Sequence, residues 1–245
     1  SLGVLSCKAF FARAKNAERP FSRLFQESAK LLFTSSQTQF PRCLLRNQII
    51  IPQNTPPKEK QMIQTFLTIT QNTKIAKNTY EMKLQGDISA ITAPGQFVNI
   101  KLEEKFLRRP ISVCDAQDNT LTIIYKTVGS GTEQMSKMQP GKALDILLGL
   151  GNGYDSSKSA DRPLLIGGGA GVPPMYFLAR KLIAEGKKVK VILGFNSLDE
   201  MFYEDKFTAL GAEVYTATAD GSYGIKGFVT DVMKTLDYSY FYTCG

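Results

Sequence analysis

Leu164-Leu165-Ile166-Gly167-Gly168-Gly169-Ala170-Gly171-Val172-Pro173-Pro174 is the stretch on which the fold turns. Three aliphatic residues run into a string of glycines, and two prolines follow. The aliphatic triplet reads as a short buried strand. The prolines read as a helix start, because the first helical amides have no intrahelical partner to lose. A helix is expected over 173–185, with Gly186 placed to end it. The amides left free at that start, and the bare glycine backbone, form a cradle suited to phosphate. A purely structural strand-to-helix turn is the alternative. The pattern is not GxGxxG, because Val172 occupies the last glycine position.

Downstream the alternation continues. Residues 189–193, 214–216 and 240–242 read as short apolar strands, and 204–210 and 228–235 as helices, with Gly211 as a second helix end. Strands that alternate with helices imply a parallel sheet. The chain stops at Cys244-Gly245, directly after a strand, and this reads as a C-terminal truncation. Upstream the period changes to two. Residues 64–70, 79–84, 96–102, 121–127 and 143–147 mix β-branched, aromatic and polar side chains. Gly86-Asp87, Pro94-Gly95, Asp118-Asn119 and Pro140-Gly141 punctuate them. That spacing predicts a small antiparallel barrel or sandwich. A short helix is expected over 132–138, with Thr132 as its cap. The expected organisation is therefore a leader over 1–61, a β-barrel over 62–158 and an α/β unit over 159–245.

The formal charge of +8 invites a nucleic-acid reading, but the charge is unevenly spread. Residues 1–61 hold ten basic and three acidic residues, while the rest holds twenty and nineteen. The folded part thus lacks the basic footprint of a nucleic-acid binder. The first methionine is Met62. Three readings fit the segment before it: upstream sequence read through in frame, a genuine basic extension, or a transit-like peptide rich in Arg and Ser and poor in acids. Cys7, Cys43, Cys114 and Cys244 are scattered, with no CxxC pair, which excludes a zinc knuckle or an iron–sulfur ligand run and fits a reducing, cytoplasmic setting. There is no histidine, so neither histidine acid–base chemistry nor histidine metal ligation is available. No apolar run approaches the roughly 18–20 residues that a membrane span requires.

A second phosphate-type motif lies in the barrel half. In Arg109-Pro110-Ile111-Ser112 an arginine fork can bind a pyrophosphate, and Pro110 presents the next two residues in extended backbone. Ser112 can set its hydroxyl against the reactive nitrogen of a flavin ring. An arginine beside an ordinary edge strand is the competing reading. Tyr125-Lys126 and Gly129-Ser130-Gly131-Thr132 follow, the latter either a phosphate-approaching turn or a glycine-rich hairpin loop. Gly149-Leu150-Gly151-Asn152-Gly153-Tyr154 says only that a tight turn is present. Two cradles of different design suggest that a flavin dinucleotide and a nicotinamide dinucleotide meet face to face. In the second half, Gly194-Phe195-Asn196-Ser197 falls where an adenosine ribose would lie. No arginine occurs between Gly194 and Met201 to clamp a 2′-phosphate, which favours NADH over NADPH. Asp220-Gly221-Ser222-Tyr223 can line the same cleft. Cys244 ends a strand at the sheet's carboxyl edge, where ligands bind in such sheets; a small buried hydrophobe is the alternative.

Together these residues resemble the ferredoxin-NADP reductase superfamily, and within it the electron-transfer subunits of the class B, NAD-dependent dihydroorotate dehydrogenases. The resemblance spans 62–245. It is carried by Leu107-Arg108-Arg109-Pro110-Ile111-Ser112-Val113, Ile124-Tyr125-Lys126, the 167–174 turn, and Asp220-Gly221-Ser222-Tyr223-Gly224-Ile225-Lys226-Gly227-Phe228-Val229-Thr230-Asp231. It implies a six-stranded FAD-binding barrel followed by a nucleotide-binding α/β half. It implies FAD held by Arg109, Pro110, Ile111, Ser112, Ile124, Tyr125, Lys126, Gly131 and Thr132. It implies NAD phosphates near Gly168, Gly169, Ala170, Gly171, Val172 and Pro173, with Cys244 beside the nicotinamide. It also implies an FMN-containing catalytic partner subunit that oxidises dihydroorotate in pyrimidine biosynthesis, and no membrane or nucleic-acid partner.

Three departures stand out. Ile111 replaces the ring-stacking tyrosine of many superfamily members, as it does in the dihydroorotate group. Leu148-Gly149 stands where Gly-Pro is usual. The four cysteines that bind a 2Fe-2S cluster in the complete family members are not in this sequence, so the cluster is expected only in a complete protein. The rival readings are the small subunit of a ferredoxin-dependent NADP reductase or sulfide dehydrogenase, a stand-alone flavin reductase, and a non-catalytic module recruited through the basic leader.

Overall fold

The computed structural model describes residues 62–245; the leader and its expected local order lie outside the described residues. Six antiparallel strands form a closed barrel: β1 (Ile63–Ala76), β2 (Thr79–Gln85), β3 (Phe97–Ile100), β4 (Arg109–Gln117), β5 (Thr120–Lys126) and β6 (Ala143–Leu150). They close in the order β1-β2-β5-β4-β3-β6. Alternation along each strand sends Leu67, Ile69, Met82, Leu84, Ile100, Ile123 and Ile146 into a fully buried interior. Between β4 and β5, Asp118 and Asn119 both take positive φ, 51° and 59°, the two-residue hairpin geometry that follows the twist of the strands.

The short helix α1 (Ser130–Ser136) plugs the barrel through Met135. It starts two residues before the expected point, and Thr132 is not its cap. Thr132 lies in the first turn, where its hydroxyl accepts from the amides of Val128 (2.9 Å) and Gly129 (3.3 Å) and donates to the Gly129 carbonyl (3.0 Å). Gly129, which has no side chain, precedes the helix, so a residue inside the helix ties down the loop before it. At the other end of α1, Asn72 donates to the carbonyls of Met135 (2.9 Å) and Met138 (3.0 Å) and accepts from the Tyr125 hydroxyl (2.9 Å). Those bonds add side-chain donors at the carbonyl end of α1, where the Met135 carbonyl also accepts from the Met138 amide at 3.1 Å.

The second half is an all-parallel sheet of β7 (Pro163–Gly168), β8 (Lys190–Phe195), β9 (Glu213–Thr218), β10 (Ile225–Lys226) and β11 (Tyr240–Cys244), in the order β10-β9-β8-β7-β11. Helix α2 (Val172–Ala184) and helix α3 (Glu204–Ala209) bury Met175, Leu178, Leu182 and Phe207 against one face. Helix α4 (Val229–Met233) covers Leu164, Ile166 and Ile192 on the other. Gly186, at φ 80°, ends α2: its amide reaches the Ile183 carbonyl and the Lys187 amide reaches Leu182. The α2 face also receives two outward residues of the barrel, Cys114 and Ile124, so one apolar core joins barrel to sheet. Strand β10 is an addition to the sequence reading, since two residues between Gly224 and Gly227 carry no period.

Candidate functional site

In the parallel sheet the chain steps outward from β7 to β8, β9 and β10, then returns to place β11 on the other side of β7. The crevice at the carboxyl ends of β7 and β11 is thus the point where strand order reverses, and open α/β sheets bind ligands at such points. Two expected site elements meet there. Cys244 pairs with Gly167 across the strands. A Cβ on Gly171 would lie 2.0 Å from the Cys244 carbonyl oxygen, and one on Gly167 would lie 2.9 Å from the Cα of Val172. Only glycine backbone lets β7, β11 and the start of α2 come this close. Pro173 and Pro174 are buried in the first turn of α2.

From this crevice a cavity of about 270 Å³ extends over the carboxyl ends of β8 and β9. It is lined by Gly168, Gly169, Asn196, Glu200, Phe228 and Lys126, among others. Lys126 comes from the barrel. Along β5 the Tyr125 side chain fills the barrel, with its hydroxyl on Asn72, while Ile124 and Lys126 turn outward toward the sheet half. The Lys126 ammonium lies 3.9 Å from the point a Cβ on Gly169 would occupy, and 2.8 Å from the Glu200 carboxylate. Glu200 also accepts from the Asn196 amide at 3.0 Å. Its carboxyl is held below the usual range, foremost by the hydrogen bond from Lys126, with burial pulling the other way. In the sequence this segment is marked only by its lack of arginine, and no motif singles out Glu200.

The flavin-type residues gather on the barrel. The Arg109 guanidinium lies flat on Gly131: a Cβ there would fall 2.3 Å from Nε and 2.9 Å from Cζ. The same guanidinium donates to the Leu107 carbonyl. Phe106, Leu107 and Val128 in the neighbouring loops are exposed. Pro110 is exposed, and Ile111 packs on the barrel interior. Ser112 shares the outer face of β4 with Cys114, which is fully buried against the sheet half. Burial pushes the Cys114 thiol well up, which keeps it protonated. The Thr132 hydroxyl is spent on its own loop, on the amides of Val128 and Gly129 and the Gly129 carbonyl. Tyr154 was legible only as the end of a glycine turn. Its hydroxyl is hydrogen-bonded to Cys244 and its ring meets Tyr242 edge-on at 5.8 Å, which brings the 149–154 loop to the crevice.

No protein-family profile matches the chain. Curated proteins do match. The dihydroorotate dehydrogenase B (NAD(+)) electron transfer subunit of Fusobacterium nucleatum subsp. nucleatum is 47% identical over 192 residues, which is 73% of this chain and 74% of that protein. The protein of the same name from Bacillus mycoides is 45% identical over 192 residues, 74% of this chain and 73% of that one. The chain belongs to the dihydroorotate dehydrogenase B (NAD(+)) electron transfer subunit family. Among solved structures, an NADH-dependent reduced ferredoxin-NADP oxidoreductase, described for flavin-based electron bifurcation, superposes with TM-score 0.64 at 31% identity, over 70% of this chain and 63% of that one. A Neisseria gonorrhoeae ferredoxin NADP+ reductase with bound FAD and NADP shares the fold: TM-score 0.63, 16% identity, 74% of this chain and 83% of that one. These similarities bear out the family resemblance and the fold class of barrel plus parallel sheet. Among the described residues, no helix is long and apolar enough to cross a membrane.

Proposed function

We propose that this chain is the subunit through which electrons taken from dihydroorotate by an FMN-containing catalytic partner reach NAD, in the cytoplasm. FAD is its resident cofactor on the barrel, and the four scattered cysteines of this sequence do not supply a 2Fe-2S ligand set. The barrel domain spans 62–158 and the NAD-binding domain 159–245. The observation that carries the reading is the pair of cradles: an arginine laid on a glycine in the barrel, and a glycine crevice opening into a cavity in the sheet, joined by one core. The ferredoxin-NADP oxidoreductase reading stands second, since identity to that structure is 31% against 47% for the dihydroorotate dehydrogenase relative.

Bound at Arg109, FAD supplies a carrier that exchanges electron pairs with a nicotinamide and single electrons with a one-electron donor. The chain's own residues bind and orient. The Arg109 fork neutralises pyrophosphate charge, and the Cβ-free backbone of Gly131 leaves room for it. Ile124, Tyr125 and Lys126 supply further FAD contacts from β5 in this reading. Ser112, on the outer face of β4, offers a hydroxyl to the flavin ring. Gly168, Gly169, Ala170, Gly171, Val172 and Pro173 receive the NAD phosphates, and Cys244, held by Tyr154 and Gly171, walls the nicotinamide side. None of these groups has to act as an acid or base, because hydride exchange between two stacked rings needs proximity and orientation.

The test is the visible spectrum of the purified full chain supplied with FAD, before and after anaerobic NADH. An oxidised-flavin band that bleaches with NADH, and less with NADPH, is the expected result. A chain that takes up no FAD would refute the reading. Arg109→Ala is expected to weaken FAD binding by between about tenfold and a hundredfold, the range for a hydrogen bond to a charged group.

A further inference from the structure

Phe106 is 100% exposed, Leu107 beside it 67%, and Val128, in the loop after β5, 83%. Large apolar side chains left this bare mark a surface that something covers. The loop that carries the first two is nevertheless built to hold its place. Leu102 is buried, the Lys105 amide reaches back to its carbonyl at 3.3 Å, and Glu104 takes a positive φ of 59° to close that turn. Side chains then fasten the loop to α1. Gln134 donates to the Glu103 carbonyl at 3.3 Å, Lys105 to the Ser130 hydroxyl at 3.1 Å, and Arg109, lying on Gly131, to the Leu107 carbonyl. Arg108 anchors it to the barrel through the Asp145 carboxylate at 2.9 Å. The backbone on both sides of Phe106 is thus fixed, while its ring is left free.

The run of the cofactor says what covers it. With the pyrophosphate on Arg109 and Gly131, the flavin ring lies along β4 at Ser112. Arg109 is the first residue of that strand. The other end of the dinucleotide therefore leaves past the strand's start, across the loops that present Phe106, Leu107 and Val128. That end is a ribose and a purine, and a purine is a flat ring of the kind that an aromatic side chain stacks. FMN ends at its phosphate, so it reaches the arginine fork and stops short of these loops. We propose that Phe106, flanked by Leu107 and Val128, is the adenine platform of this chain, and that it makes the barrel select FAD over FMN. This assignment depends on the barrel being the FAD site. It accounts for so bare a side chain on so well fastened a loop: a platform held in place before the ligand arrives loses little freedom on binding.

Fluorescence titration of the flavin-free full chain with FAD and with FMN tests this without turnover. The wild-type chain is expected to bind FAD about tenfold or more tightly than FMN. Phe106→Ala is expected to weaken FAD by about tenfold, as for a base that loses one aromatic partner, and to leave FMN within about twofold of wild type. Phe106→Tyr, which keeps a ring, should retain the wild-type preference. Because the side chain is fully exposed, neither variant should move Tm. Arg109→Ala, by contrast, should weaken both flavins, since both present a phosphate to the fork. Unchanged FAD affinity in Phe106→Ala would overturn the platform, leave the FAD site standing and return the patch to the protein's docking surface. Equal losses of FAD and FMN in that variant would also overturn it, because Phe106 would then act on the fork or the fold. A wild-type chain that binds neither flavin would overturn the FAD site itself, and the platform with it.

Discussion

Gly171→Ala is expected to cost about 3 kcal/mol or more of stability, a fall of roughly 6–12 °C in Tm for a fold of this size, and to abolish dinucleotide binding. The reason is steric, since Gly171 has an ordinary helical φ of −85°. A methyl there would meet the Cys244 carbonyl oxygen at 2.0 Å, its carbonyl carbon at 2.3 Å and the Gly245 nitrogen at 2.6 Å. All three are backbone atoms, so no side chain can swing aside. Either β11 separates from the start of α2 or the crevice deforms. Gly168→Ala, three residues earlier, separates fold from function. Its backbone is extended (φ −110°), and a methyl there would meet nothing within 4 Å. Stability should stay within about 0.5 kcal/mol of wild type, while the methyl intrudes on the phosphate approach and weakens NADH binding by about tenfold or more. Thermal melts and NADH titrations of both variants decide the matter. A Gly171→Ala chain with the wild-type Tm would show that the strand and helix do not meet as described.

The same two glycines show what was legible in the sequence. The strand, the glycine run and the prolines are neighbours in the chain, so local rules read them correctly, and the sheet followed from their repetition. Where a long-range contact decides, local reading slips. Strand β1 runs on to Ala76 through Gln71, Asn72, Thr73 and Lys74, which have no apolar alternation. It continues because β2 pairs with it and because Asn72 is needed at the end of α1. Helix α1 begins early because Thr132 reaches backward, although Gly129 and Gly131 argue locally against a helix. Glu200 faces Lys126 from 74 positions away, and no spacing rule connects them. The Arg109 and Gly131 motifs were each ambiguous alone. What gives them meaning is that the fold lays one on the other.

Glu81→Ala is the other large effect expected, about 2–4 kcal/mol at neutral pH, and it bears on how the two halves hold their geometry. Glu81 projects from β2 with its side chain 4% exposed. Across the junction, the Tyr203 hydroxyl donates to its carboxylate at 2.5 Å and the Lys206 ammonium at 3.0 Å. Tyr203 precedes α3 in the left-handed region (φ 72°), and its ring takes Tyr176 edge-on at 5.1 Å with the Lys206 ammonium 4.2 Å from its centre. Those contacts offset a backbone conformation that a tyrosine rarely adopts. Removing the carboxylate strands a buried hydroxyl, while Lys206, its side chain 41% exposed, can turn its ammonium to water. Burial, the largest influence, pushes the Glu81 carboxyl up, but the bonds from Tyr203 and Lys206 and the charges of Lys206 and Lys83 together hold it below its ordinary 4.5. A carboxyl depressed in the folded state stabilises above its unfolded value, and that contribution is lost as pH falls through the folded one. The stability gap between wild type and Glu81→Gln should therefore be flat from neutrality to about pH 5 and shrink below it. If the gap instead widened in acid, the carboxylate would not be the stabilising form. Replacing the pair with apolar groups, in Glu81→Leu with Tyr203→Phe, should recover most of the loss, because no polar partner is then stranded. That double variant would keep the fold while removing the polar tie between β2 and α3. Slower NADH oxidation in it, with unchanged stability, would assign the tie to positioning flavin against nicotinamide.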